Sequence, residues 1–131
     1  MLPLRVLVVD ELEPVRAKIR KLVDAAGWQV CAEGEGEFAA LEAVEQCKAD
    51  LVVLDIGVVV PNALNTIRLI RAKHPHVRIL ATSVYVTPDL ANSMKSAGAH
   101  GLVQKVDIAR DLFIAVRAFT EGQEFFPVLA A

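Results

Sequence analysis

The feature that most constrains this chain is a repeated couple: a short β-branched apolar run, then a stretch with apolar residues at helical spacing. Residues 4–9 form the first run, bounded by Pro3 and Asp10. It lacks the alternation of a half-exposed strand, so it reads as a strand buried on both faces. Pro14 suits the first turn of a helix. Val15, Ile19, Leu22, Val23 and Ala26 follow at helical spacing, and Gly27 supplies a stop. The couple then recurs. Residues 28–32 read as a strand, 33–37 as an acidic glycine-containing loop, and Phe38, Leu41 and Val44 as the apolar face of a helix ending at Lys48. Residues 51–54 are a wholly apolar strand ending at Asp55, and a loop with Pro61 and Asn62 leads into a helix through Ile67 and Ile70. Residues 77–81 are a strand, and Thr87-Pro88-Asp89 starts a helix with a hydroxyl cap, a first-turn proline and an acid that suits the dipole. Residues 102–104 are a last short strand. Asp107 can cap a helix with Leu112, Phe113, Val116 and Phe119 inward, and Phe125 and Phe126 pack a tail onto the domain.

Five strand–helix alternations imply a parallel sheet with helices on both faces. The 131 residues suit one domain, read as 1–122 with a tail at 123–131. A hydrophobic share of 54% excludes a disordered chain. A net charge of −2 offers no basic surplus for nucleic acid or anionic lipid. Apolar runs such as 56–61 are far short of the ~20 residues of a membrane span. Without a signal peptide, Cys31 and Cys47 read as reduced core fillers of a cytoplasmic protein.

In such sheets chemistry gathers where the carboxyl ends of the strands open. Those ends carry Asp10-Glu11, Glu33-Gly34, Asp55, Thr82-Ser83 and Gln104-Lys105. Asp10, Glu11 and Asp55 would repel one another without a cation among them. Oxygen-only ligands suit Mg²⁺, which keeps waters and accepts phosphate oxygens. A lysine and a hydroxyl facing the metal would hold phosphoryl oxygens, and a central aspartate can be the nucleophile.

With those residues in order, the chain resembles the receiver domain of two-component response regulators over roughly its whole length. The resemblance rests on V-V-D-E at 8–11, L-V-V-L-D-I-G at 51–57, A-T-S at 81–83, and G-A-H-G at 98–101 followed by L-V-Q-K. Ser83 and Lys105 are 22 positions apart, the usual family interval. The segments K-V-D-I-A-R-D-L and E-G-Q-E-F-F are similar to the NarL/FixJ class. The resemblance implies a flavodoxin-like, CheY-like doubly wound (βα)5 sheet of order 2-1-3-4-5. It implies Asp55 as phosphoacceptor, and Mg²⁺ held by Asp10, Glu11, Asp55 and the Gly57 carbonyl, with Glu11 the more direct of the acidic pair. Ser83 and Lys105 would bind the phosphoryl group, with Thr82 as the register alternative. The implied partner is a sensor histidine kinase or phosphotransfer protein, docking near the first helix. A homodimer through the last two helix–strand units fits the class. The role is signalling rather than enzymatic, and the residues after Gly122 are too few for a DNA-binding helix-turn-helix.

The chain departs from the family pattern at four places. Val59 stands where proline is usual, Ala63 where glycine is usual, and Val84 where a small residue follows the switch hydroxyl. Leu102 occupies the switch position that usually carries a ring. These departures favour a second reading, a pseudo-receiver that binds partners without phosphorylation. A flavodoxin-like enzyme or nucleotide binder is disfavoured. The turn D-E-L-E-P has no glycine to cradle a phosphate, and no nucleophile–histidine pair is present. Val58–Val60 reads as loop packing, and His74, His76 and His100 as surface residues.

Overall fold

The structure, a computed structural model, describes residues 3–57 and 59–127. Five strands form one parallel sheet: β1 (Arg5–Val9), β2 (Gln29–Gly34), β3 (Leu51–Asp55), β4 (Arg78–Ser83) and β5 (Gly101–Gln104), in the order β2-β1-β3-β4-β5. The helices between and after them are α1 (Glu13–Ala25), α2 (Ala40–Cys47), α3 (Val60–Lys73), α4 (Pro88–Ala97) and α5 (Ile108–Thr120). The expected architecture and strand order are therefore present.

The pleat explains why the strands read as continuous apolar runs. Successive side chains of a strand point to opposite faces. Val6 and Val8 of β1, with Val53, Leu80 and Val103, pack against Ile19, Val23, Leu112 and Phe119 of α1 and α5. Leu7 and Val9, with Val52, Leu54, Ile79 and Leu102, pack against Val44, Ile67, Ile70 and Met94 of α2, α3 and α4. Both faces are dry, and each fully buried Leu or Ile contributes about 1.5–3 kcal/mol.

Thr87 caps α4 as expected, accepting from the Leu90 N–H at 3.1 Å. Other expectations need correction. The spacing puts Phe38 on the apolar face of a helix, but 37–39 form a 3₁₀ turn that leaves the residue 80% exposed. The helix proper starts only at Ala40, so Leu41 and Val44 keep their inward positions without it. Asp107 precedes α5 without capping it. Residues 105–107 form a 3₁₀ turn there, and the Asp107 carboxylate turns to Arg110 instead. α3 starts one residue ahead of Pro61, at Val60. Val60 packs against the core, while Val59 is exposed, so loop packing describes only one of the two. Val58 lies outside the described residues.

Cys31 and Cys47 are not separate reduced side chains. They sit on β2 and at the end of α2 with Cα atoms 5.7 Å apart and are joined as a disulfide. That separation is typical of a disulfide. The packing of α2 over the sheet edge brings them together, which a sequence separation of 16 does not reveal.

His100 also departs from its surface reading. Its Nδ1 accepts the Ile79 N–H at 3.0 Å, and its ring meets Phe119 edge-on. Burial, with the charges of Arg71 and Arg78 behind it, pushes the imidazole down from 6.5 to about 4. The unfolded chain takes up this proton near 6.5, the folded chain only near 4. The folded state therefore loses stability through this group as pH falls from about 6.5 to about 4, and gains nothing further above that window. Urea unfolding across that range should show a steeper acid loss in the wild type than in His100→Asn. Parallel curves would remove His100 as the cause.

The tail is held on the sheet. The Phe125 N–H donates to the His100 carbonyl and the Leu102 N–H to the Phe125 carbonyl, both at 2.9 Å, so residue 125 extends the β5 edge. Gly101 makes that approach feasible. A Cβ there would lie 2.7 Å from the Phe125 carbonyl oxygen and 3.0 Å from the Phe119 ring. Gly101→Ala should cost about 1–3 kcal/mol in urea unfolding. It should also speed hydrogen exchange at the Leu102 amide. A neutral substitution would mean that the tail yields freely.

Candidate functional site

All five strands are parallel, so their carboxyl ends share one edge of the sheet. Asp10 directly follows β1, Asp55 ends β3, Ser83 ends β4, and Lys105 directly follows β5. Pairing in register sets Asp55 beside Thr82, and Ser83 beside Gln104. Glu11, Asp55, Gly57, Ser83, Val84, Tyr85 and Lys105 line an open cleft of about 390 Å³. The strand ends named from the sequence thus meet in space, with one exception. Glu33, at the end of β2, is taken by Arg20 at 2.6 Å and Arg16 at 3.4 Å and does not line the cleft.

Lys105 lies at the centre. Its ammonium is 2.8 Å from Asp10 Oδ2 and 3.0 Å from Asp55 Oδ1. Burial works against the charged lysine. Its hydrogen bonds to Asp10 and Asp55 outweigh that, and hold its pKa above the ordinary lysine value. Asp10 is only 1% exposed, and its Oδ1 accepts the Leu12 N–H at 2.9 Å. Arg16, which sequence reasoning did not single out, donates from its guanidinium to the Asp10 backbone carbonyl. Its place in the second turn of α1 was the only available signal.

Asp55 is held from one side. Its Oδ1 accepts the Gly57 N–H at 3.1 Å as well as the Lys105 ammonium. Gly57 adopts φ 64°, a conformation that glycine takes without strain. Among the described residues no hydrogen bond or ion pair occupies the other oxygen, Oδ2. One side of the carboxylate is therefore fixed and charge-balanced, and Asp55 lines the cleft.

The two candidate hydroxyl residues line different spaces. Ser83 lines the cleft with Asp55, whereas Thr82 lines a small void with Val15, Ile19, Lys105 and Ile108. The Ser83 hydroxyl donates to the Tyr85 carbonyl. Leu102, at the position that usually carries a ring, is fully buried between the sheet and its helices. Ala63 is fully buried in α3. Val84 and Tyr85 are exposed and line the cleft, and Val59 is exposed just ahead of α3.

A metal was expected among these carboxylates. Among the described residues no three carboxylates, histidines or cysteines already stand together as a metal cluster. The buried Asp10 carboxylate is nonetheless balanced by a cation, here the Lys105 ammonium. The exposed Glu11 lines the same cleft as Asp55 and Gly57, so the donors on offer there are oxygens. That donor chemistry fits a hard divalent ion. No helix of the described residues is long and apolar enough to cross a membrane.

Comparison with known proteins gives the family. The family model described as the response regulator receiver domain matches residues 6–117. The Fimbriae Z protein of Salmonella typhimurium is 30% identical over 128 residues, covering 97% of this chain and 61% of its own. The response regulator GacA of Pseudomonas viridiflava is 28% identical over 123 residues, covering 93% and 58%. The chain thus spans about three-fifths of the length of these curated relatives. Among solved structures, the isolated REC domain of RcsB from Salmonella enterica serovar Typhimurium with phosphomimetic BeF3⁻ superposes with a TM-score of 0.82 at 22% identity. That match covers 95% of this chain and 94% of the solved one. By fold, by strand-end chemistry and by its family match, the chain belongs to the receiver domains of two-component response regulators, which are signalling proteins rather than classical enzymes.

Proposed function

We propose that the chain is a working phosphoacceptor: Asp55 takes a phosphoryl group from a sensor histidine kinase or phosphotransfer protein in a Mg²⁺-dependent step. The observation that carries this reading is the one-sided hold on Asp55 at the cleft, with Oδ1 fixed by Lys105 and the Gly57 N–H and no partner on Oδ2 among the described residues. Oδ2 attacks phosphorus as the bond from phosphorus to the donor's nitrogen breaks, and the donor imidazole leaves. Asp10, Glu11, Asp55 and the Gly57 carbonyl would hold the ion, which when bound neutralises the carboxylates and the phosphoryl oxygens. Lys105 leaves Asp10 and pairs with a phosphoryl oxygen. Ser83 exchanges the Tyr85 carbonyl for another. Loss of the phosphoryl group to water is self-catalysed, and no other reaction is expected of the chain. Two local charge-assisted contacts thereby move the β4–α4 segment and change the face that a partner reads.

The domain, with its tail held on β5 through Phe125, acts in the cytoplasm, without contacting nucleic acid itself. A homodimer through α4, β5 and α5 is the assembly that suits its class. The pseudo-receiver reading has less support, because Asp10, Asp55 and Lys105 are all present and Lys105 pairs with both carboxylates. The test is the intact mass after treatment with acetyl phosphate, with and without Mg²⁺. A gain of one phosphoryl group only with Mg²⁺ is the expected result. No gain, where a known receiver is labelled under the same conditions, would overturn the proposal.

A further inference from the structure

The geometry points to Gln104 as a positioning residue that latches the segment following β4 in its resting arrangement, an inference that rests on Asp55 being the phosphoacceptor. Gln104 ends β5, immediately before Lys105, and is paired in register with Ser83. Its side-chain amide donates to the Val84 carbonyl at 3.1 Å, across 20 positions of sequence. One residue further on, the Tyr85 carbonyl accepts the Ser83 hydroxyl. Two consecutive carbonyls are thus each held by a side chain from a strand bordering the cleft. Val84 and Tyr85 are 59% and 77% exposed, so packing anchors them weakly and the two hydrogen bonds hold the segment.

These bonds respond differently to a phosphoryl group. The Ser83 hydroxyl has one proton, so it must release Tyr85 before it can donate to a phosphoryl oxygen. The Gln104 amide is uncharged, and its bond to Val84 resists the inward shift that Ser83 makes. Removing the amide lowers the cost of that shift, and phosphoryl-like ligands should then bind more tightly.

The probe is BeF3⁻ with Mg²⁺, titrated into the intact chain and followed by fluorine NMR. Gln104→Met keeps the side-chain length without the N–H donor, and should bind about three- to five-fold more tightly than wild type, the range for one net hydrogen bond partly open to water. Gln104→Ala should shift the same way, which separates the lost donor from any effect of an added apolar chain. In a Ser83→Ala background no hydroxyl draws the segment inward, so the gain should vanish. A merely structural role would lower stability in urea and leave BeF3⁻ affinity unchanged. Affinity equal to or weaker than wild type in Gln104→Met, or an undiminished gain with Ser83→Ala, overturns the latch while leaving the phosphoacceptor reading intact. Failure of the wild type itself to bind BeF3⁻ overturns both.

Discussion

Asp55→Ala should gain no phosphoryl group from acetyl phosphate under conditions that label the wild type, while keeping the circular dichroism of the folded chain. The contrast is all or none, because the substitution removes the nucleophilic oxygen itself. Neighbouring groups cannot replace it. Asp10 is buried, with one oxygen on the Leu12 N–H and the other on Lys105. Glu11 is exposed at the rim, outside the Gly57 turn that fixes one Asp55 oxygen. The fold should tolerate the change, since Asp55 is at the end of β3 and the residues before it, Leu51 to Leu54, are the ones buried on both faces. Lys105 keeps Asp10 as a partner. Intact mass gives the answer directly, and labelling retained in Asp55→Ala would remove Asp55 from its proposed role.

Lys105→Met should have the largest effect on stability. It leaves the Asp10 carboxylate at 1% exposure without its cation. Breaking a buried pair from one side costs about 3 kcal/mol, because the remaining charge stays desolvated. Asp55 loses its cation too, but it is closer to solvent and contributes less. Added Mg²⁺ should restore much of the loss, by supplying a cation to the same carboxylates and binding only the folded chain. The variant should therefore gain more stability from Mg²⁺ than the wild type, whose lysine already balances the site. Urea unfolding with and without Mg²⁺ measures both effects. A variant as stable as wild type in the absence of Mg²⁺ would show that the lysine is not the counter-charge. A variant that Mg²⁺ leaves unstabilised would remove Asp10 and Asp55 as ligands.

Much of the fold was legible because its signals are local. Unbroken apolar, valine-rich runs at 51–54 and 6–9 read as strands covered on both faces, and the helical spacing between them supplies the covers. A parallel sheet then forces the residues that end its strands onto one rim, so Asp10, Asp55, Ser83 and Lys105 could be brought together without coordinates. Local pattern misled where a residue belonged to two rhythms. Phe38 has the spacing of the following helix, but the 3₁₀ turn leaves it outside. Asp107 has the chemistry of a cap, but the 3₁₀ turn ahead of α5 takes it away from the free amides.

What the sequence by itself determined is thus the layering, the strand order carried by the family resemblance, and the set of side chains that share the rim. Tertiary structure alone decided which partner each of them takes. Lys105 bridges Asp10 and Asp55, Ser83 turns to Tyr85, Gln104 reaches Val84, Cys31 meets Cys47, and His100 is drawn under Phe119 with its charge suppressed. The physical reason is one of range. Hydrophobic periodicity repeats within a single element and can be read along the chain. A hydrogen bond or ion pair depends on ångström-scale approach between elements far apart in sequence, and that is fixed only once both faces of the sheet are packed.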